Sequence, residues 1–246
     1  MIGIVAVSHS ARLGEAALEL ALQMVHDGGV RVKVAAGAGV DADGAPILGT
    51  DAVAVAAAID ELAADCDGVL VLMDLGSAVL SAELALELRS SVVPVRLAPA
   101  PFVEGLLAAA VSAAAGGSLD DVASEATAAL EAKTGALGVE EEHASGPPVP
   151  PASDADVQVR RVRVRNPLGI HARPAALIAK AAAGADVRLR RLPDGPDAAA
   201  ASLTRLLVLG ARQGDELELS ARGDDATEVL DRLVALFDDG FGEGTD

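Results

Sequence analysis

Apolar positions in the first part of the chain form short continuous runs separated by longer amphipathic stretches. The runs predict strands at 2–8, 30–36, 68–75 and 92–98. The stretches predict helices at about 14–26, 51–64, 77–89, 102–115 and 119–133. Continuous apolar strands that alternate with helices are typical of a parallel sheet covered on both faces. We therefore expect an α/β parallel-sheet domain here.

The last third of the chain has shorter strands and a different order of elements. Strands are predicted at 157–164, 187–192 and 216–222, with a weak alanine-rich strand after the turn at 193–196. Helices are predicted at about 171–183, 202–209 and 225–237. This order indicates a small α+β domain.

An acidic, proline-rich segment separates the two patterns. Residues 138–156 include four prolines and have no apolar period, which favours a semi-extended linker. The predicted organisation is a first domain at 1–135, a linker at 136–156 and a second domain at 157–246.

Composition excludes several classes of function. Aromatic residues make up only 1% of the chain against 51% hydrophobic residues, so the cores must consist of aliphatic side chains and alanine. A net charge of −18 argues against a nucleic-acid partner. The longest uncharged stretch is too short to span a membrane, the one cysteine cannot form an internal disulfide, and no signal-peptide pattern is present. We expect a cytoplasmic protein.

Charge is distributed unevenly between the two domains. Residues 1–135 carry 6 basic against 18 acidic side chains, whereas residues 157–246 carry 13 against 14. Two interpretations of the arginine-rich second domain remain open. It presents a basic face to an acidic partner domain, or its sheet carries a solvated stripe of arginines.

The first candidate for chemistry is His171, in the run Asn-Pro-Leu-Gly-Ile-His-Ala-Arg-Pro at 166–174. Gly169 permits a tight turn, and Pro174 fits the first turn of a helix, where its missing N–H costs nothing. His171 then lies at a helix N-terminus, where free amides and the helix dipole favour a phosphoryl group. Arg173 can add charge-assisted hydrogen bonds to that group.

This run resembles the phosphorylation site of HPr, the histidine phosphocarrier of the bacterial phosphotransferase system. The predicted elements of 157–240 also fit an HPr-like open-faced sandwich. The resemblance implies that His171 is phosphorylated on the pros nitrogen, Nδ1. It also implies that Ser202 lies where some HPr proteins have a regulatory serine, but the match around it is partial and a plain N-cap is the favoured interpretation.

The second candidate is His9, which follows the first predicted strand. Asp74 lies near the end of the third, and the carboxyl ends of parallel strands meet at one edge of a sheet. A carboxylate there can fix the tautomer of the imidazole, but a helix-capping role for His9 stays open. Gly76 and Ser77 begin a helix whose amides can bind phosphoryl oxygens.

The first domain resembles the mannose-type IIA domain of the phosphotransferase system, and more narrowly that of the phosphoryl-donor subunits of phosphoenolpyruvate-dependent dihydroxyacetone kinases. The resemblance is carried by the runs at 7–15, 49–53, 73–83 and 100–105. It implies a homodimer formed through the IIA domain, with His9 phosphorylated on the tele nitrogen, Nε2.

The two resemblances imply a phosphotransferase relay. Phosphoryl would pass from phospho-enzyme I to His171, then to His9, and then to ADP in the nucleotide subunit of a dihydroxyacetone kinase composed of DhaL and DhaK. Because the chain stops at Asp246, a separate enzyme I is expected. The alternatives are a regulatory phosphocarrier and a IIA component of a sugar transporter.

The remaining candidates indicate no further chemistry. Cys66 has no neighbouring base, His26 has the setting of a helix C-terminus, and His143 lies in the predicted linker. No cluster has metal-ligand spacing, so no metal is expected. No cofactor is expected either.

Overall fold

The computed structural model describes residues 1–25, 29–136, 157–193 and 195–243. It contains two compact units, Met1–Leu130 and Glu131–Asp246. Most of the predicted linker, together with His26 and His143, lies outside the described residues. The proposed domain limits at 135 and 157 therefore stay a prediction.

The first unit alternates strands and helices, as the apolar pattern predicts. Its strands are β1 (Ile2–Ser8), β2 (Arg31–Ala36), β3 (Gly68–Met73) and β4 (Val95–Ala98). Its helices are α1 (Ala11–Met24), α2 (Ala52–Ala63), α3 (Gly76–Leu88), α4 (Phe102–Ala114) and α5 (Leu119–Ala128).

The four described strands of this unit form one parallel sheet in the order β2-β1-β3-β4. Helices α1, α4 and α5 pack on one face, and α2 and α3 pack on the other. Alternate residues of β1 enter opposite cores: Ile4 faces the first and Val5 the second. This confirms the predicted parallel sheet covered on both faces.

Two helices differ from the predicted limits. Helix α1 begins at Ala11 instead of residue 14, because the Ser10 hydroxyl accepts a hydrogen bond from the Leu13 N–H at 3.3 Å and caps the helix. The helix predicted at 119–133 is divided into α5 and a short α6 (Glu131–Ala136). In the structure α6 groups with the second unit.

The second unit has the predicted α+β arrangement. Its strands are β5 (Gln158–Arg163), β6 (Asp186–Arg191), β7 (Asp197–Ala199) and β8 (Glu216–Arg222). Its further helices are α7 (Ala172–Ala181), α8 (Leu203–Val208) and α9 (Ala226–Asp238), followed by a 3₁₀ turn at Gly240–Gly242.

These strands form an antiparallel sheet in the order β5-β8-β6-β7. Apolar side chains on one face of the sheet, such as Leu217 and Leu219, are buried together with Leu233 and Phe237 of α9. The result confirms the HPr-like open-faced sandwich.

Arginines on the open face of this sheet are matched by carboxylates. Glu218 of β8 pairs with Arg161 of β5 at 3.4 Å and with Arg190 of β6 at 2.8 Å. Glu216 pairs with Arg163 at 3.1 Å. These cross-strand pairs alternate positive and negative charge. The arginines of this face are thus ion-paired to carboxylates of the same sheet, as the interpretation of a solvated stripe of arginines expects.

Within the described residues, no helix is both long enough and apolar enough to cross a membrane.

Candidate functional site

His9 and Asp74 lie side by side because β1 and β3 are paired in parallel. Val7 is in register with Met73, so His9 and Asp74 leave the sheet at the same edge. The Asp74 N–H donates to the Val7 carbonyl at 3.2 Å and extends the pairing beyond the strands. The structure thus brings together the two residues predicted for this edge.

The Asp74 carboxylate holds His9 by both its side chain and its backbone. The Nδ1 of His9 lies 2.9 Å from Oδ1 of Asp74. Oδ2 accepts hydrogen bonds from the His9 N–H at 2.8 Å and from the Ser8 hydroxyl at 2.9 Å. An ionised carboxylate can only accept, so Nδ1 carries the hydrogen and Nε2 of a neutral ring keeps its lone pair.

Asp74 stays ionised in this position although only 7% of its side chain is exposed. Burial by itself raises the pKa of a carboxyl group. The hydrogen bonds from His9 and Ser8 outweigh that effect and leave the pKa of Asp74 below its usual value. A negative charge therefore lies against the His9 ring at neutral pH.

The other ring nitrogen of His9 faces the start of α3. Its Nε2 lies 2.6 Å from the Ser77 hydroxyl. The N-cap residue, Leu75, makes no side-chain capping bond to the first turn. A Cβ added at Gly76 would meet no atom within 4 Å, so there is open space beside the backbone amides of the first turn of α3. This arrangement can bind the oxygens of a phosphoryl group on Nε2.

The loop before α2 is bound to the backbone of His9 and to α3. The Gly49 N–H donates to the His9 carbonyl at 2.9 Å. The hydroxyls of Thr50 and Ser81 lie 2.7 Å apart, which ties the loop to α3. These residues belong to the runs that carry the IIA resemblance, and their contacts fix the backbone around His9.

His171 is the N-cap residue of α7, as the sequence predicts. Gly169 before it has a φ of +69°, and a Cβ there would lie 2.3 Å from the Ala211 carbonyl oxygen. Only glycine fits this approach. The Ile170 N–H donates to the same carbonyl at 2.8 Å, so the turn is held in place.

A carboxylate also contacts the His171 ring, and no motif in the sequence indicates it. Nε2 of His171 lies 2.9 Å from Oε1 and 3.1 Å from Oε2 of Glu243, near the end of the described chain. Asn166 donates from Nδ2 to the same carboxylate at 2.9 Å. Arg173 lies in the first turn of α7, and its charge helps to lower the pKa of Glu243.

Several contacts of these sites were missed by reasoning from the sequence. The sequence indicated Ser77 by its position at the helix start and not by its hydroxyl, which contacts His9. Ser8, a polar residue at the end of an apolar strand, could have been recognised as a partner of Asp74. Asn166 belongs to the motif around His171. Glu243 lies 72 residues from His171 in a polar tail, and no pattern connects the two.

Ser202 has the geometry of an N-cap. Its hydroxyl accepts a hydrogen bond from the Arg205 N–H at 3.1 Å at the start of α8, and the residue is buried. A regulatory role for Ser202 stays a prediction.

Among the described residues, no group of three or more His, Cys, Asp or Glu side chains is arranged to hold a metal ion. Cys66 is buried, and burial raises the pKa of its thiol.

The lowered pKa of Asp74 predicts a pH-dependent contribution to stability. Asp74→Asn should destabilise the Met1–Leu130 unit by about 1.5–3 kcal/mol at pH 7, because hydrogen bonds to a charged group are lost. The native carboxylate binds a proton less readily than the unfolded one. Its contribution is therefore complete above the unfolded pKa, about 3.9, and is lost as the pH falls through the lower native pKa.

Urea unfolding at pH 7, 5, 4 and 3, followed by the methyl NMR signals of β1 and β3, measures this difference. The exposed Asp43→Asn is the control and should match the parent chain at every pH. The account would be contradicted if the free energy of unfolding of Asp74→Asn fell below that of the parent chain by as much at pH 3 as at pH 7.

Comparisons with known proteins agree with both halves of the fold. Residues 158–239 match the family described as the PTS HPr component phosphorylation site, and residues 3–123 match the PTS system fructose IIA component. The phosphocarrier protein NPr of Proteus mirabilis is 39% identical over 88 residues, which cover 35% of this chain and 97% of that protein.

Two longer relatives match both regions. Each is a PEP-dependent dihydroxyacetone kinase, phosphoryl donor subunit DhaM. The protein of Klebsiella michiganensis is 44% identical over 250 residues, covering 100% of this chain and 52% of the relative. The protein of Escherichia coli is 42% identical over 247 residues, which cover 99% of this chain and 51% of that relative. The chain spans about half the length of these relatives. It belongs to the phosphocarrier family of the phosphotransferase system, with an HPr component preceded by a IIA component.

Proposed function

We propose that this chain is a phosphohistidine relay. Phosphoryl passes from phospho-enzyme I to His171, from His171 to His9, and from His9 to ADP held by the nucleotide subunit of a dihydroxyacetone kinase. The observation that carries the proposal is that each imidazole has one nitrogen on a carboxylate and lies at the start of a helix. The relatives named as phosphoryl donor subunits support the same role.

At His171 the receiving atom is Nδ1. Nε2 is engaged by the Glu243 carboxylate, so Nδ1 is the nitrogen left to accept phosphoryl. The lone pair of Nδ1 attacks the phosphorus of phospho-enzyme I, and the old P–N bond breaks as the new one forms. The first-turn amides of α7 and the Arg173 guanidinium bind the phosphoryl oxygens.

At His9 the receiving atom is Nε2. Asp74 holds the hydrogen on Nδ1, and the Nε2 lone pair takes phosphoryl from Nδ1 of phospho-His171. The Ser77 hydroxyl, next to Nε2, turns to donate to a phosphoryl oxygen. The terminal oxygen of ADP then attacks the same phosphorus, and the electron pair of the P–N bond returns to Nε2. The chain is a carrier in this scheme, and the kinase subunits bind the small-molecule substrates.

The proposal includes a homodimer formed through the IIA component. Leu80, Leu84 and Leu88 recur every four residues on α3 and are exposed, with 68% of Leu80 accessible. An exposed apolar row of this kind favours burial against a second copy, and it lies on the helix that begins beside His9.

The proposed order of transfer predicts different effects of replacing the two histidines. With enzyme I, labelled phosphoenolpyruvate and the kinase subunits, His171→Ala should leave both sites at background labelling. His9→Ala should leave His171 labelled but reduce dihydroxyacetone phosphate to background. Free HPr must be absent from the assay. If His171→Ala still charges His9 at the parent rate, the proposed order is wrong.

The dimer has its own test. Leu80→Glu combined with Leu84→Glu should halve the molecular mass measured by light scattering, because two charges per chain would enter the apolar contact. Leu20→Glu, at an exposed leucine of α1, is the matched control and should leave the mass unchanged. A mass that does not respond to the double substitution places the contact elsewhere.

A further inference from the structure

The chain after α9 turns back towards His171. Residues 239–243, here called the C-terminal clasp, follow the last helical residue, Asp238. Gly240, Phe241 and Gly242 have φ values of 62°, 58° and 72°, so three successive residues have left-handed backbone. The Glu243 N–H donates to the Gly240 carbonyl at 3.1 Å and closes the turn. This conformation brings the Glu243 side chain to the imidazole.

A buried aromatic side chain, Phe241, anchors the clasp although its own backbone is left-handed. Phe241 is 3% exposed, and its ring meets that of Phe237 edge to face with centroids 4.9 Å apart. Left-handed backbone costs a non-glycine residue free energy, so packing must stabilise it here. Phe241 lies two residues before Glu243. Its packing therefore fixes the backbone that places the Glu243 carboxylate on the His171 ring.

A buried amide holds Glu243 from the other side. Asn166 is fully buried and donates from Nδ2 to the Gly169 carbonyl at 2.6 Å and to Oε2 of Glu243 at 2.9 Å. Within the described residues its Oδ1 has no hydrogen-bond partner. An unpaired buried acceptor is costly, so its presence in a native fold calls for an explanation. The amide thus links the clasp to the turn that positions His171.

Glu243 is ionised in this setting. Burial by itself raises the pKa of its carboxyl group. Hydrogen bonds from His171 and Asn166 and the nearby charges of His171 and Arg173 outweigh burial, so the pKa of Glu243 lies below its usual value. A full negative charge therefore lies against Nε2 at neutral pH, with the Arg173 guanidinium of α7 as an opposite charge nearby.

We propose that Glu243 is the positioning residue of His171: it holds the hydrogen on Nε2, directs phosphoryl to Nδ1 and keeps phospho-His171 a ready donor. The inference deepens the proposed relay and rests on it for its biological meaning. The ring chemistry can be tested without any other relay component.

The balance of protons and electrons in the transfer shows why this hydrogen matters. When Nδ1 takes the phosphoryl group, the Nε2 hydrogen stays on the ring and the ring becomes cationic. When the Nδ1–P bond breaks, its electron pair returns to Nδ1 and neutral imidazole leaves. Without the Nε2 hydrogen the leaving group would be an imidazolate, which is a far poorer one. A fixed carboxylate stabilises the protonated ring and extends the pH range in which transfer is fast.

The experiment uses the full chain with His9, His26 and His143 replaced by alanine, so that His171 is the one remaining histidine. The ring is labelled with ¹⁵N and phosphorylated by the small donor phosphoramidate. NMR of ³¹P and ¹⁵N identifies the phosphorylated nitrogen, and loss of the signal between pH 6 and 10 gives the rate of P–N cleavage.

We expect phosphate on Nδ1 in this chain. Glu243→Gln, which keeps the shape without the charge, should shift the pH at which P–N cleavage slows downward by on the order of one unit. Glu243→Ala should also give measurable phosphate on Nε2. Glu228→Gln, at an exposed carboxylate of α9, is the control and should change neither property.

Two results would overturn the inference. One is phosphate on Nε2 in the chain that retains Glu243. The other is a pH profile of the Glu243→Gln variant that superimposes on that of its parent, with intact NMR spectra for both. Because phosphoramidate replaces enzyme I, these results do not depend on the relay. Failure of the relay would appear instead as absent labelling by enzyme I of a chain that phosphoramidate still charges.

Discussion

A carboxylate bound to one nitrogen of an imidazole determines what the other nitrogen can do. At His9 the Asp74 carboxylate occupies Nδ1 and leaves Nε2 beside the start of α3. At His171 the Glu243 carboxylate occupies Nε2 and leaves Nδ1. The same interaction therefore presents opposite nitrogens in the two components. Each remaining nitrogen keeps a lone pair in the neutral ring, which is the requirement for accepting phosphoryl.

Each fold supports its carboxylate by a different means. In the first unit, parallel pairing of β1 with β3 fixes the register, and the Asp74 carboxylate binds the backbone and the side chain of His9 together. In the second unit, the turn at Gly169 positions the ring, while the clasp brings a carboxylate from the far end of the component. The first arrangement follows from the sheet, and the second depends on a few irregular residues.

This difference explains how much could be predicted from the sequence. Parallel strands put their carboxyl ends at one edge, so the closeness of His9 and Asp74 followed from the apolar pattern. His171 at a helix start followed from Gly169 and Pro174. Glu243 could not be found, because its position requires left-handed backbone at Phe241, which no residue preference indicates. The pairing of the arginines on the open sheet likewise depends on a strand register that sequence alone does not determine.

The most direct test of the relay is a single time course on the unmodified chain. After rapid mixing with phospho-enzyme I in the absence of kinase, ³¹P NMR of quenched samples follows both phosphohistidines. The account predicts that an Nδ1-phosphohistidine signal rises first and that an Nε2-phosphohistidine signal then grows at its expense. Simultaneous appearance of the two signals, or phosphate on Nδ1 alone at the end of the reaction, would contradict a relay from His171 to His9.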